Sequence, residues 1–307
     1  MKIIITAANG FIGKSLVNYF KKDNEVICLV RNINESLKNE FGKNVKILSW
    51  DGKTLGSWKD ALENSDVIIN LAGKSVNCRY NEQNKKAIYS SRLESTKIIG
   101  EAISQLKNKP KLWINAASAT IYKYSLTEPM TEKNGIIGEG FSVDVCQKWE
   151  KSFFDFQNLG IRQIALRTAI VLGKNGGVMK PFNYLVKFGL GGKMGKGNQM
   201  LSWIHEKDVC SAINFLIKNE NSSGIYNISA PNPITNDEFM KTLRKTNHAL
   251  FGIPSPEWLL KLGAKIIKTE TELILKSRYV IPERLLQEGF QFEFEQIDTC
   301  LLELKNK

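Results

Sequence analysis

An apolar run over Lys2–Thr6 passes through Ala7-Ala8-Asn9-Gly10-Phe11-Ile12-Gly13 into an amphipathic stretch that reaches Lys22. Small residues at this strand-to-helix turn suit the close approach of an anion. Gly10 lets the backbone come up against a phosphate, and Gly13 lets the helix pack closely on the strand. The unpaired N–H groups around Phe11 and Ile12 then present the positive end of the helix dipole. The spacing is that of G-x-x-G-x-x-G, with Ala7 where the first glycine belongs, a change that narrows the turn. The next apolar run, Val26–Val30, ends on Arg31-Asn32. A carboxylate there accepts from the ribose hydroxyls of NAD, whereas a guanidinium suits a 2′-phosphate. Together the turn and Arg31 predict a dinucleotide site that prefers NADP.

The elements that hold these residues alternate. Strands are expected at Lys2–Thr6, Val26–Val30, Val45–Leu48, Val67–Leu71, Lys111–Ala117 and Arg162–Leu172, and helices at Phe11–Lys22, Asn81–Lys107 and Glu139–Gln157. Such alternation means parallel strands and an α/β, doubly wound (Rossmann) sheet. That domain is expected over residues 1–173. Residues 174–307 are expected to form a smaller, mostly helical substrate lobe, with a strand-helix unit at Ser202–Lys218 and a strand at Ile225–Ser229 returning to the sheet edge. Thr235 and Glu238 have capping-box spacing. Trp258, Leu259, Leu260 and Leu262, with Leu273, Ile274 and Leu275, read as a satellite core. The glycines from Gly189 to Gly197 read as a lid.

Composition excludes several classes. The chain has 307 residues, 42% hydrophobic and 24% charged, and no apolar run long enough to cross a bilayer. The start has neither the basic leader nor the cleavage site of a signal peptide, so a cytoplasmic protein is expected. The five cysteines are scattered and the two histidines far apart, which predicts no disulfide framework and no metal site. The formal charge of +12 comes from dispersed lysines. It reads as a solvated surface that attracts an anionic cofactor, with no nucleic-acid partner.

Several further segments carry a resemblance: Trp50-Asp51, Val67-Ile-Ile-Asn-Leu-Ala-Gly73, Ser91-Arg92, Ser118-Ala-Thr-Ile-Tyr122, Leu166–Gly173, Ser202–Asp208, and the tail through Ile281-Pro-Glu-Arg284 to Gly289-Phe290. In this order the sequence resembles the extended, atypical short-chain dehydrogenases/reductases. More narrowly, it is similar to the YfcH-like group of NAD-dependent epimerase/dehydratase family proteins, whose C-terminal extension it shares. The resemblance implies that Leu71, Ala72 and Gly73 flank the adenosine side of the cofactor and that Asp51 meets the adenine. Lys74 stands where the group has an acid, a reversal that changes a cofactor or a substrate contact.

The resemblance also implies chemistry. Ser118 takes the place of the serine that orients a substrate oxygen. The tyrosine of the usual Tyr-x-x-x-Lys pair falls on Ser142 and the lysine on Cys146. Neither can serve as proton donor or fixed cation, and the group as a whole lacks the pair. Tyr122 is the phenol nearest Ser118 in sequence and is the candidate acid/base. Arg79, Arg92 and His205 are candidates for binding an anionic or carbonyl small-molecule substrate, with competing structural roles for each. His205 suits ordering the loop before its helix. Two readings follow: an NADP-dependent oxidoreductase or epimerase, and a non-catalytic NADP-binding redox sensor or interaction protein.

Overall fold

The computed structural model describes residues 1–266 and 270–306. In chain order the first part comprises β1 (Lys2–Thr6), α1 (Phe11–Phe20), β2 (Glu25–Val30), α2 (Glu35–Phe41), β3 (Val45–Ser49), β4 (Val67–Asn70), α3 (Glu82–Ser104), β5 (Leu112–Ser118), α4 (Phe141–Phe154) and β6 (Arg162–Thr168). Then come β7 (Ile170–Gly173), β8 (Gly176–Gly177), α5 (Met179–Lys187), β9 (Met200–Leu201), β10 (Trp203–His205), α6 (Glu206–Lys218), β11 (Gly224–Ile228), β12 (Ile234–Thr235) and α7 (Asn236–Thr246). The tail adds α8 (Glu257–Ile266), α9 (Glu272–Leu275), α10 (Glu283–Gln287) and α11 (Ile297–Asn306).

Seven parallel strands form one sheet in the order β11-β6-β5-β4-β1-β2-β3. Because successive side chains point to opposite faces, β1 sends Ile3 and Ile5 one way and Ile4 the other. Ile3 and Ile5 join a core under α1, α2 and α6, and Ile4 joins one under α3 and α4. Both faces are therefore covered, as a doubly wound sheet requires. The strand order reverses between β1 and β4, which places the topological switch point, and the crevice beyond the strand ends, beside the Gly10–Gly13 turn.

The apolar stretch Arg162–Leu172 is two strands rather than one. β6 pairs with β5, while β7 pairs with β10 in a separate three-stranded sheet. The change of sheet follows the polar pair Arg167-Thr168, but a pair of that kind also occurs inside continuous strands, so periodicity does not reveal it. The segment after Gly173 contributes to both units: α6 and β11 complete the large sheet, while α5, α7 and α11 surround a third core built on Phe182, Trp203, Phe239 and Leu301. The Thr235–Glu238 capping box is present.

The satellite core is smaller than expected. Leu260 packs against the third core, but Trp258 is 68% and Leu262 50% exposed. The expectation for Leu273 and Ile274 lies outside the described residues. The Gly189–Gly197 segment is tied to the tail rather than hanging free. Gly192 and Gly195 donate to Ile253 and Ser255, while Ile253 and Ser255 donate back to Gly189 and Lys193.

Candidate active site

Gly10 is the N-cap of α1 and offers no side-chain cap. The first acceptor inside the helix is Gly10 O, taken by Lys14 N at 2.9 Å, so the amides of Phe11, Ile12 and Gly13 have no intrahelical acceptor. A Cβ at Gly13 would stand 2.6 Å from Ala7 O and 2.7 Å from Ala8 Cα, so only glycine lets α1 sit this close to β1. Ala7 takes the left-handed conformation, φ 48°, that the missing first glycine would adopt at lower cost. The turn fits a pyrophosphate: small, unobstructed and lined by three donor amides at the positive end of a ten-residue helix.

Arg31 and Asn32 follow β2 directly and are both exposed. Among the described residues Arg31 has no hydrogen-bond or ion-pair partner. Asp51 is engaged locally: it accepts from Lys53 N at 2.8 Å, Thr54 N at 2.9 Å and Thr54 Oγ1 at 2.7 Å. Those bonds, the backbone N–H of Thr54 foremost, hold its carboxyl below the usual range.

A buried polar network holds the Leu71–Gly73 segment. Thr6 Oγ1 donates to Asn70 Oδ1 at 2.7 Å, and Asn70 Nδ2 donates to Asn115 Oδ1 at 2.7 Å. The amides of Leu71 and Ala72 return to Thr6 Oγ1 and Asn70 Oδ1 at 3.0 and 3.2 Å. Trp149 Nε1 donates to Thr96 Oγ1 at 3.1 Å and joins α4 to the same cluster. These residues were missed by sequence reasoning. The available signal was an asparagine in each of two largely apolar strands, at the end of β4 and in the middle of β5, where a polar group needs a partner.

Ser118 ends β5 and caps the turn Ala119–Ile121, its Oγ accepting from Thr120 N at 3.2 Å. That leaves its hydroxyl proton available. Tyr122 is corrected: it is 2% exposed, and its hydroxyl donates to Asn227 Oδ1 at 2.8 Å while accepting from Arg167 Nη1 at 2.9 Å. Burial raises the phenol pKa. Arg167 is in turn held by Glu150 through two bonds of 2.8 Å. Tyr122 therefore belongs to a closed structural network and does not face a substrate.

His205 is corrected in the same way. It is 1% exposed and caps α6, with Nδ1 accepting from Lys207 N at 3.1 Å and Nε2 lying 3.0 Å from Glu303 Oε2. With Nδ1 as acceptor, Nε2 carries the proton and donates to Glu303. Arg79 is exposed and pairs with Glu270 at 3.3 Å. Lys74 is fastened through its backbone, its N–H donating to Ser91 Oγ at 2.8 Å and its carbonyl accepting from Arg92 Nη1 at 3.0 Å.

Arg92 lies against Trp149 and Gly73. Its guanidinium stacks over Trp149 at 5.0 Å and lies so near Gly73 that a Cβ there would come within 3.2 Å of its Cζ. On α4, Ser142 donates to Glu272 Oε2 at 3.3 Å, and the buried Cys146 thiol is pushed up to about 11, chiefly by desolvation. The position of the usual lysine thus holds a neutral group.

Comparison with known proteins agrees with this architecture. Residues 3–137 match the NAD dependent epimerase/dehydratase family, and residues 255–304 match a domain of unknown function, DUF1731. The epimerase family protein YfhF of Bacillus subtilis (strain 168) is 33% identical over 99% of this chain and 98% of its own. Epimerase family protein SAB0724c of Staphylococcus aureus (strain bovine RF122 / ET3-1) is 31% identical over 99% of each chain. Among solved structures, human epimerase family protein SDR39U1 (isoform 2) with NADPH is similar, with a TM-score of 0.84 and 28% identity over 100% of both chains. UDP-N-acetylglucosamine 4-epimerase from Methanobrevibacter ruminantium M1, 18% identical with a TM-score of 0.79, shares the fold. The full-length likeness to epimerase family proteins, with the family match over residues 3–137, places the chain in the NAD dependent epimerase/dehydratase family.

Proposed function

We propose that the chain is an NADP(H)-dependent oxidoreductase or epimerase acting on a small carbonyl or hydroxyl compound. The observation that carries the cofactor choice is Arg31, exposed and without a partner among the described residues, where an NAD site has a carboxylate. The NADPH carried by the human relative supports the same choice. When bound, the cofactor exchanges a hydride with the substrate.

The chain's own residues divide the remaining work. The amides at the start of α1 receive the pyrophosphate, and Arg31 with Asn32 receives the 2′-phosphate. Leu71–Gly73, fixed by the Asn70–Asn115 network, forms the wall along the cofactor. Ser118, with its free hydroxyl proton, orients the substrate oxygen. The segment Ser277–Ile281 closes the other side: Met130 N donates to Tyr279 O at 2.7 Å, and Arg278 N donates to Met200 O at 2.8 Å. It limits water at a reacting carbon.

A second reading, a non-catalytic NADP-binding redox sensor or interaction protein, is favoured by Ser142 and the neutral Cys146. Titration with NADPH and NADH, followed by a screen of carbonyl compounds for NADPH oxidation, separates the two. Tighter NADPH binding with turnover is expected. Tight binding without turnover of any compound would favour the sensor, and equal affinity for both nucleotides would contradict the cofactor choice.

A further inference from the structure

Two arginines from distant parts of the chain converge where the Tyr-x-x-x-Lys pair would stand. Arg92 comes from α3 and lies along Gly73. Arg278 comes from the C-terminal segment, is 8% exposed, and reaches the Ser118–Thr120 turn with Nε 3.3 Å from Thr120 Oγ1. Both act electrostatically on the Cys146 thiol and on the Tyr80 phenol.

Neither guanidinium is held in an ion pair among the described residues, although the Glu272 carboxylate acts on Arg278 from a distance. Among the described residues the arginine ion pairs are those of Arg79, Arg167 and Arg284, and neither Arg92 nor Arg278 has a carboxylate within 4.0 Å. Glu272 lies nearby but is engaged with Lys276 at 3.4 Å and with Ser142 at 3.3 Å. The bonds the two guanidinium groups do make go to neutral oxygens: Lys74 O and Ile88 O for Arg92, and Thr120 Oγ1 and Lys276 O for Arg278. Beside them the Tyr80 hydroxyl is shut off from solvent and, among the described residues, makes no hydrogen bond of ordinary geometry, with Ser142 the side chain that faces it. A half-buried and a buried guanidinium, neither in an ion pair and both beside a buried hydroxyl, are costly to a fold and match a ligand oxyanion, which guanidinium groups bind in bidentate fashion.

We propose that Arg92 and Arg278, with the Tyr80 hydroxyl, form a clamp for a carboxylate or phosphate group of the substrate. The C-terminal extension thereby supplies half of the clamp. The proposal deepens the reading of the Ser118 side as the substrate side and rests on it.

The test is calorimetric titration of the full chain with oxalate and with inorganic phosphate, with and without saturating NADPH. At least one anion binds at millimolar concentration alongside NADPH, and the preferred anion tells carboxylate from phosphate. Arg278→Gln and Arg92→Gln each weaken that binding roughly tenfold or more, and Arg278→Gln melts no lower than the parent because it removes an unpaired charge. A lower Tm with unchanged anion affinity assigns Arg278 a structural role and overturns the clamp. So does the binding of neither anion, or competition of the anion with NADPH. If NADPH itself fails to bind, the cofactor reading falls, and the clamp is still judged by whether anion binding to the protein alone depends on both arginines.

Discussion

Asn70 and Asn115 are register partners on adjacent parallel strands, and the side chain of the first donates to that of the second at 2.7 Å inside the protein. The bond does more than join β4 to β5. Asn70 also accepts from Thr6 and from the amide of Ala72, so the pair sets the path of the Leu71–Gly73 segment, the proposed wall of the cofactor site.

Replacing Asn115 with Leu removes the short bond of the buried Asn70 amide and leaves it only the long one to Thr96 Oγ1 at 3.4 Å. An unsatisfied buried donor costs about 1–3 kcal/mol, and Leu71–Gly73 loses its anchor. Urea denaturation is expected to show that loss, and NADPH titration a weaker affinity. Unchanged values in both would show that the network does not support the crevice.

Tyr122→Phe separates a structural from a catalytic phenol. Its hydroxyl satisfies Arg167 and Asn227, so its removal is expected to lower stability by about 1–3 kcal/mol while NADPH affinity and any turnover persist. Turnover abolished at unchanged stability would restore Tyr122 as an acid.

His205 provides a pH test. Burial, opposed by Glu303, Asp208 and Glu206, holds its pKa below the usual value. For a base whose folded pKa is lowered, the unfolded chain binds more protons. The stability contribution is therefore complete above about pH 6.5 and declines as the pH falls below it. His205→Asn keeps a capping side chain but removes this titration, so its denaturation midpoint is expected to fall less between neutral pH and pH about 5.5. Parallel curves for the two proteins would contradict the assignment.

Local patterns made much of the fold legible. Apolar runs of strand length, separated by amphipathic helices, indicated the parallel sheet. The Gly10–Gly13 turn is a contiguous motif whose context can be read directly. The hidden parts depend on distant contacts. Ala169 separates two strands of different sheets, and no glycine or proline beside it marks the break. Tyr122 lies just after a strand end, where alternation no longer tells inside from outside. Its partner Asn227 is 105 residues away. Arg278 reaches Thr120 from 158 residues away, and no spacing rule connects them. Trp258 and Leu262 have a core composition but remain exposed, because apolar residues on a short helix do not specify what covers them.

The central claim is that Arg31 selects NADP, and the direct measurement is the affinity of Arg31→Ala for NADPH and for NADH. One charge-assisted contact to the 2′-phosphate is worth roughly 1.5–3 kcal/mol. NADPH binding is therefore expected to weaken by about tenfold to a hundredfold while NADH binding stays nearly the same. Equal weakening of both, or of neither, would contradict it.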